Sequence, residues 1–321
     1  MSDYIPYILF ILGFVMIIKG SDWFVDSVIW IAKVLKIPNI IIGATLVSIC
    51  TTLPETMVSV SSALRNNTDM ALGNALGSIA VNTGFIFATA IIFMQPVLKN
   101  VKGYRRNAFF LLTLIAGVYF MGYFTGSINR YTGIFLLILL VLYLYKNIQD
   151  FKKDSSTDTD ETAPSKTSAD KRRNILFFLI GLALTIGGSN LLVVNGEIIA
   201  RMLGVSEIII GLTMTAVGTS LPELVTAVAA IVKKAHGISV GNILGANILN
   251  ILLVIGLSSV ITPIAVKDEM LGFHIPYIFG IVAIMTGISF FGKGRLKRGG
   301  GILLMLSYSI YIALTFTIFK G

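Results

Sequence analysis

The sequence is poor in the residues that disulfide frameworks and zinc sites require. Among its 321 residues it contains one cysteine, Cys50, and two histidines, His236 and His274. A single cysteine cannot form an intrachain disulfide, and histidines this far apart do not make the HExxH motif of zinc metalloproteases. The chain is therefore neither a disulfide-stabilised secreted scaffold nor a zinc protease.

Charge is scarce as well. Asp, Glu, Lys and Arg make up 13% of the residues, whereas apolar residues make up 55%. Soluble domains carry roughly 25% charged residues, and so few charges cannot cover the surface of a soluble protein of this length. The composition excludes a cytosolic enzyme and a nucleic-acid-binding protein, and it predicts a polytopic membrane protein.

Apolar runs long enough to cross about 30 Å of hydrocarbon occur ten times. They cover residues 4–32, 38–64, 70–96, 107–124, 131–147, 174–203, 206–232, 237–263, 273–292 and 299–319. Runs such as 134–142 are continuously apolar and lack the alternation of a membrane β-barrel strand. We expect an all-α polytopic membrane protein whose ten transmembrane helices form two sets of five, residues 1–147 and 174–321.

The segment between the two sets, residues 148–173, is rich in Asp, Ser, Thr and Lys and predicts a flexible linker. Loops on its side of the membrane hold 19 of the 25 Lys and Arg residues, whereas the opposite side holds five. Because cytoplasmic loops carry an excess of Lys and Arg, we expect the linker to be cytoplasmic and both termini to lie outside. The net charge of +9 then reflects membrane topology rather than an acidic partner.

The two sets of helices contain an internal repeat. Segment 40–82 aligns with segment 208–250 at a constant offset of 168 positions, and 15 of the 43 residues are identical. Since each repeat holds an odd number of helices, the second copy must be inverted in the membrane relative to the first. Inverted repeats are typical of secondary transporters, in which broken helices bind the substrate near the bilayer midplane. The repeat therefore favours a transporter over a channel.

Two glutamates differ from the other acidic residues in position. Glu55 and Glu223 lie in the middle of predicted helices and are equivalent in the repeat. A carboxylate at the bilayer centre costs about 2.5–3.5 kcal/mol, and two that converge repel each other unless a cation or protons intervene. We interpret the pair as a cation site rather than as a buried contact between helices. The single-copy acids at membrane depth are expected to reach the surface, or to pair with Lys19 or with a neighbouring helix; they are Asp22, Asp26 and Glu197.

Oxygen-bearing groups accompany each glutamate. Thr51 and Thr219 lie four residues before the glutamates, on the same helix face. A proline before each glutamate lacks an N–H and leaves the carbonyl oxygen four residues earlier free for an ion, at Cys50 and Gly218. In the next helix of each repeat, polar side chains share one face; they are Asn74, Ser78 and Asn82, then Asn242 and Asn250. An oxygen shell of this kind suits Ca²⁺ or Na⁺.

These motifs resemble the two repeats of the cation/calcium antiporter superfamily, and within it those of the sodium/calcium exchanger branch. The resemblance rests on Thr51-Thr-Leu-Pro-Glu55 with Gly73-Asn-Ala-Leu-Gly-Ser78, and on Thr219-Ser-Leu-Pro-Glu223 with Gly245-Ala-Asn247. It implies exchange of Ca²⁺ for Na⁺ by alternating access, with the first and sixth helices sliding against a core of the second, third, seventh and eighth. It also implies location in the inner membrane of a prokaryote.

The resemblance further implies a set of ion-binding residues. Glu55 and Glu223 would bind both Ca²⁺ and Na⁺, and the backbone oxygens of Thr51 and Thr219 would join them at the calcium position. The remaining members would line the flanking or central positions; they are Ser48, Thr52, Ser78, Asn82, Ala216, Ser220 and Asn250.

The chain departs from the family pattern at four positions. Cys50 stands where the second repeat has Gly218, and Thr52 replaces a serine but keeps a hydroxyl group. Ala246 lacks the hydroxyl group of a common sodium ligand, and Asn250 replaces an aspartate of some members, as in potassium-independent exchangers. These changes leave the implied calcium ligands intact and bear on the number of sodium ions.

Other functions are weighed beside a Na⁺/Ca²⁺ antiporter. A Ca²⁺/H⁺ antiporter on the same fold would protonate the empty glutamates, but the TTLPE and TSLPE motifs differ from the GNxxE motif usual in proton-coupled relatives. A cation channel is disfavoured by the inverted repeat. An intramembrane protease lacks support, because the sequence has no Ser–His pair or twin-aspartate motif. We expect no enzyme activity and no cofactor beyond the transported ions, and the only predicted surroundings are the lipid bilayer.

Overall fold

The computed structural model describes residues 4–35, 37–98, 100–154, 168–202, 218–292 and 294–318. In the first half, the helices are α1 (Ile5–Leu35), α2 (Asn39–Thr51), α3 (Leu53–Leu64), α4 (Thr68–Met94), α5 (Val101–Thr125) and α6 (Arg130–Asp154). In the second half, they are α7 (Ser168–Met202), α8 (Leu221–Val232), α9 (His236–Ile261), α10 (Met270–Ile288) and α11 (Arg298–Ile318). Two short strands, β1 (Ser127–Ile128) and β2 (Ile264–Ala265), pair in antiparallel register.

The helices confirm the predicted all-α membrane architecture. Eight of those in the described ranges are long and apolar enough to cross a membrane, and α2 with α3, bent by 45°, makes a ninth. The tenth predicted span, 206–232, is described from residue 218 onward and contains α8, while residues 203–217 lie outside the described part. The described residues thus contain nine of the ten predicted spans and part of the tenth, and the second span is bent.

The helices that flank the predicted linker are longer than the membrane spans predicted from hydropathy. α6 continues to Asp154 and α7 begins at Ser168, so both enter the segment 148–173. Hydropathy marks the point where a helix leaves the hydrocarbon, whereas the Lys, Arg and Gln residues beyond that point remain good helix formers. Residues 155–167 lie outside the described ranges, and the flexible linker stays a prediction.

The two longest helices, α1 and α7, pack against each other through glycines. A Cβ atom added to Gly13 would lie 2.9 Å from the carbonyl oxygen of Gly188, and one added to Gly20 would lie 2.8 Å from that of Gly181. Gly13 and Gly181 are repeat equivalents, as are Gly20 and Gly188, so the crossing is symmetric. Small residues at such positions let helix backbones approach closely in a membrane.

The helices α4 and α9 occupy the centre of the protein. All residues from Ile238 to Leu249 of α9 are buried, and this helix packs against α2, α4 and α8. A helix that is buried on every face belongs to the interior of a bundle. By contrast, large apolar side chains of the outer helices are exposed, as at Phe120, Phe124 and Leu306. An apolar surface of this extent is costly in water and is the surface that lipid covers.

Candidate cation site

The backbone breaks at equivalent points of the two repeats. Thr52, between α2 and α3, has φ −80° and ψ 1°, and Ser220, before α8, has φ −87° and ψ 3°. This region of backbone space is sparsely populated and recurs at active sites. Each break places a glutamate in the first turn of the helix that follows, Glu55 in α3 and Glu223 in α8.

A second irregularity recurs in the neighbouring helix of each repeat. α4 widens into a π-helical turn at Asn82–Phe87, and α9 does so at Asn250–Ile255. Both turns begin at an asparagine that the sequence places in the cation site. π-helical turns are rare and concentrate at functional sites. Their equivalent positions in the two repeats therefore indicate that a functional site lies at the depth of Asn82 and Asn250 in the helix bundle.

The two carboxylates are fully buried, with 0% of either residue exposed. Ser220 of the second repeat donates a hydrogen bond of 3.4 Å to Oε1 of Glu55, while Oε2 has no partner among the described residues. The side chains of Thr51 and Thr52 lie next to the Glu223 carboxylate, yet neither of its oxygens has a hydrogen-bond partner in the described part of the chain. Each glutamate therefore faces hydroxyl groups of the opposite repeat.

Two hydrogen bonds link the repeats with matching geometry. The Thr51 hydroxyl donates to Oδ1 of Asn242 over 3.1 Å, and the Thr219 hydroxyl donates to Oδ1 of Asn74 over 3.2 Å. Thr51 and Thr219 are equivalent at the offset of 168, as are Asn74 and Asn242. The two hydrogen bonds are thus related by the same twofold equivalence as the two repeats, and each involves the threonine four residues before one of the glutamates.

The remaining predicted site residues that the structure describes are buried polar groups, most of them unpaired. Buried oxygen or nitrogen atoms without a partner among the described residues belong to Thr52, Ser78, Asn82 and Asn250. Ser48 is buried and donates to the carbonyl oxygen of Thr45 over 3.1 Å, and Ala216 lies outside the described residues. Unpaired buried polar atoms are rare in folded proteins and cost free energy unless water or an ion pairs with them.

The donor set suits a hard cation. In the described ranges no cluster of three or more His, Cys, Asp and Glu side chains occurs, so any further ligands that these ranges supply beside the two carboxylates are neutral. Hydroxyl, amide and carbonyl oxygens with few carboxylates are the ligands that Ca²⁺ takes, whereas zinc and copper prefer nitrogen and sulfur.

One predicted free ligand is already engaged. The sequence predicts that the Gly218 carbonyl oxygen, left without its helical partner by proline, is free for an ion. In the structure it accepts a hydrogen bond of 3.0 Å from the Ser189 hydroxyl of α7. The donor lies on another helix, 29 residues earlier in the chain, so local helix geometry gave no sign of it. The equivalent Ser21 of α1 instead donates to Ile18 of its own helix over 3.1 Å.

The single-copy acids lie apart from this site. Asp22 and Asp26 of α1 both pair with the ammonium group of Lys233 after α8, over 2.6 and 2.7 Å. This confirms the expectation of a partner on a neighbouring helix. The side chain of Glu197 lies outside the described residues.

Sequence reasoning missed several polar partners. It placed Asn74 and Asn242 on the site-facing side of their helices but assigned them no contact. It also gave no role to Asn247, whose amide donates to the Thr83 hydroxyl over 2.8 Å. The offset of 168 pairs Asn74 with Asn242 and was the available signal, whereas Asn247 and Thr83 have apolar repeat equivalents and gave none.

Both halves of the chain are similar to a known protein family, and nearly the whole chain is similar to known membrane proteins. Residues 5–149 and 173–317 each match the family described as sodium/calcium exchanger protein. The chain is 32% identical to the inner membrane protein YrbG of Escherichia coli over 317 residues, with 96% of both chains covered. It is 28% identical to the sodium/calcium exchanger MaX1 of Methanosarcina acetivorans over 351 residues, covering 98% of this chain and 99% of MaX1.

A solved structure gives the same result. The sodium-calcium exchanger NCX_Mj, soaked with Na⁺ and Ca²⁺, superposes with a TM-score of 0.83 at 26% identity, covering 96% of this chain and 98% of that chain. The two family matches fall on the two five-helix halves, as the repeat predicts. This integral membrane protein therefore belongs to the sodium/calcium exchanger protein family.

Proposed function

We propose that the protein is a secondary active antiporter that exchanges Ca²⁺ for Na⁺ across the membrane by alternating access. The observation that carries the proposal is the pair of fully buried carboxylates, Glu55 and Glu223, each facing hydroxyl groups of the opposite repeat. Buried charges require a partner, and no Lys or Arg in the described residues pairs with either glutamate. Membership of the sodium/calcium exchanger protein family supports the same function.

The proposed ligands follow from the same geometry. The Glu55 and Glu223 carboxylates would neutralise one Ca²⁺, or two Na⁺ ions bound in its place. Backbone oxygens of Thr51 and Thr219 would complete the calcium position. Neutral side-chain or backbone oxygens around it would come from Ser48, Thr52, Ser78, Asn82, Ala216, Ser220 and Asn250.

Alternation of access would come from α1 and α7. These helices pack mainly on each other, and α7 contacts the backbone next to the site through the hydrogen bond from Ser189 to the Gly218 carbonyl. A sliding motion of the pair would open the site first to one side and then to the other. The proposed orientation has the segment 148–173 on the cytoplasmic side of the inner membrane and both termini outside.

Proton coupling is the second candidate. It is favoured by one observation, the Glu223 carboxylate, whose oxygens have no hydrogen-bond partner among the described residues. A buried carboxylate without a cation is costly to keep charged and takes up a proton instead. In that case Ca²⁺ would displace protons rather than Na⁺.

Calcium flux in proteoliposomes separates the candidates. Purified protein would be reconstituted, and Ca²⁺ uptake measured under separate gradients of Na⁺, H⁺ and K⁺. We expect uptake to follow an outward Na⁺ gradient and to be insensitive to K⁺. Uptake driven by a pH gradient alone would establish Ca²⁺/H⁺ exchange, and Ca²⁺ flow that needs no counter-ion would identify a channel. Liposomes with Glu55→Gln protein provide the background.

A further inference from the structure

We propose that Asn74 and Asn242 are positioning residues of the cation site. Each would hold the backbone break of the opposite repeat in the geometry that binds Ca²⁺, by fixing Thr219 and Thr51 respectively. The proposal rests on the proposed function, because the two threonines are its backbone ligands. Neither asparagine is a proposed ligand.

The direction of the two threonine hydroxyls carries the proposal. Threonines within a helix ordinarily donate to a carbonyl oxygen three or four residues earlier. Thr45, Thr56 and Thr185 do so here over 2.8 Å. The hydrogen bond from the Thr51 hydroxyl to the Ser48 carbonyl of its own helix is long, at 3.5 Å. Its shorter hydrogen bond, of 3.1 Å, runs to Oδ1 of Asn242 in the other repeat.

The asparagines are well placed to act as fixed acceptors. Both are buried, at 4% exposure for Asn74 and 0% for Asn242. The Asn74 amide nitrogen donates to the backbone carbonyl of Glu55 over 3.2 Å and to the Ser59 hydroxyl over 2.9 Å. Asn74 therefore joins the helix that carries one glutamate to the break that precedes the other.

The second repeat holds its asparagine less firmly. The counterpart of Ser59 is Ala227, which has no hydroxyl group, and the Asn242 amide nitrogen has no partner among the described residues. The Asn242 side chain is thus fixed mainly through Thr51. A ligand set in which each half restrains the other is pre-organised, and pre-organisation lowers the entropic cost of binding.

A pair of double-mutant cycles on Ca²⁺ affinity tests the proposal. Equilibrium Ca²⁺ binding would be measured for Asn242→Ala, Thr51→Val and the double variant; Thr51→Val keeps the backbone carbonyl. We expect each single change to weaken Ca²⁺ binding on the order of tenfold, and the double variant to resemble either single variant. In the crossed combination, Asn242→Ala with Thr219→Val, the two effects should instead multiply and weaken Ca²⁺ binding by about a hundredfold.

The matched control is Asn147→Ala. Asn147 is also buried, but its amide donates to the Tyr143 carbonyl of its own helix over 3.0 Å, and we expect Ca²⁺ affinity to be unchanged. Thermal unfolding in chelator identifies any variant that fails to fold, and the Asn74–Thr219 pair gives an independent cycle in the other repeat.

The outcomes separate the two proposals. One outcome is that the unsubstituted protein binds Ca²⁺, while both the paired and the crossed double variants weaken binding by the product of their two single effects. In that case the positioning role is wrong and the proposed function stands. If the unsubstituted protein binds no Ca²⁺, both fail. A purely structural role predicts lower unfolding temperatures with no coupling that is specific to one pair.

Discussion

At the scale of single residues, Glu55 and Glu223 combine complete burial with a lack of cationic partners in the described part of the chain. Such a carboxylate is retained only where its charge is used or neutralised by a bound group. Around them, the described side chains are neutral and rich in oxygen. In the proposed exchanger, the affinity for Ca²⁺ would therefore depend on these two charges, and loss of either should weaken Ca²⁺ binding strongly.

We expect Glu55→Gln or Glu223→Gln to reduce Ca²⁺ transport by about a hundredfold or more, because each removes half of the charge that faces the ion. Both variants should fold, since glutamine has nearly the same shape. Ca²⁺ at about 100 times its Kd should raise the free energy of unfolding of the unsubstituted protein by about 2.7 kcal/mol, and a chelator should reverse this stabilisation. Neither variant should be stabilised by Ca²⁺.

Thermal unfolding with Ca²⁺ and with chelator, together with flux assays, measures both effects. Asp69→Asn provides the control, since Asp69 is an exposed carboxylate paired with Lys267 over 2.7 Å. That change should leave transport and the Ca²⁺ response intact. Normal Ca²⁺ uptake by either glutamine variant would contradict the assignment of Glu55 and Glu223 as ligands of the transported ion.

At the scale of elements, the close crossing of α1 and α7 leaves no room for a side chain. A Cβ atom on Gly20 would lie 2.7 Å from the backbone nitrogen of Thr185 and 2.8 Å from the carbonyl oxygen of Gly181. Both neighbours are main-chain atoms, which cannot rotate away. Overpacking of this kind forces the helices apart.

We expect Gly20→Ala to destabilise the protein by about 1–3 kcal/mol and to slow transport, because the helix pair must separate to accept the methyl group. Thermal unfolding in detergent and flux assays check this. Gly117→Ala in α5 is the matched control, since a Cβ there meets nothing within 4 Å. Alanine also favours the helix by roughly 0.5–1 kcal/mol over glycine. An equal loss of stability in both variants would contradict the crossing.

At this scale, part of the structure can be predicted from the sequence and part cannot. Hydropathy predicted the spans, and the proline before each glutamate indicated an irregular helix near Thr52 and Ser220. The bond from Ser189 to the Gly218 carbonyl could not be predicted, because it joins residues of different helices whose crossing is set by packing. The π-helical turns at Asn82 and Asn250 were likewise invisible, since no local residue pattern specifies them.

At the scale of the whole molecule, the two repeats are alike at the site and unlike at one end of the core. Lys233 pairs with Asp22 and Asp26 of α1. Burial lowers the pKa of Lys233, but hydrogen bonds to the two carboxylates raise it, and the net pKa lies above its ordinary value. The repeat equivalents are Arg65, Asn190 and Val194, which cannot form such a pair.

We expect this difference to bias the conformational equilibrium. If α7 takes the place of α1 when the repeats exchange conformations, the ion pairs are lost without replacement. The double variant Asp22→Asn/Asp26→Asn should therefore change the ratio of apparent Ca²⁺ affinities at the two membrane faces, by about twofold to fivefold for partly exposed pairs. Side-specific flux assays in oriented proteoliposomes measure this ratio.

Two variants sharpen that measurement. Lys267→Gln removes the exposed pair with Asp69 and should leave the ratio unchanged. Asn190→Asp/Val194→Asp supplies Arg65 with the missing carboxylates and should move the ratio in the opposite direction to the Asp22/Asp26 variant. An unchanged ratio in the Asp22/Asp26 variant, or a shift of the same sign in both, would contradict the bias.

The glycine crossing has one more consequence. Gly13 and Gly20 each lie against a glycine of α7, two helical turns apart, and the residues between them are bulky, as at Met16 and Ile17. Relative displacement of the two helices along their axes would drive these side chains into the partner backbone. In the proposed exchange, α1 and α7 would therefore move as one rigid body. Because one body cannot occupy both end positions at once, this coupling would prevent simultaneous opening to both compartments, and with it an ion leak.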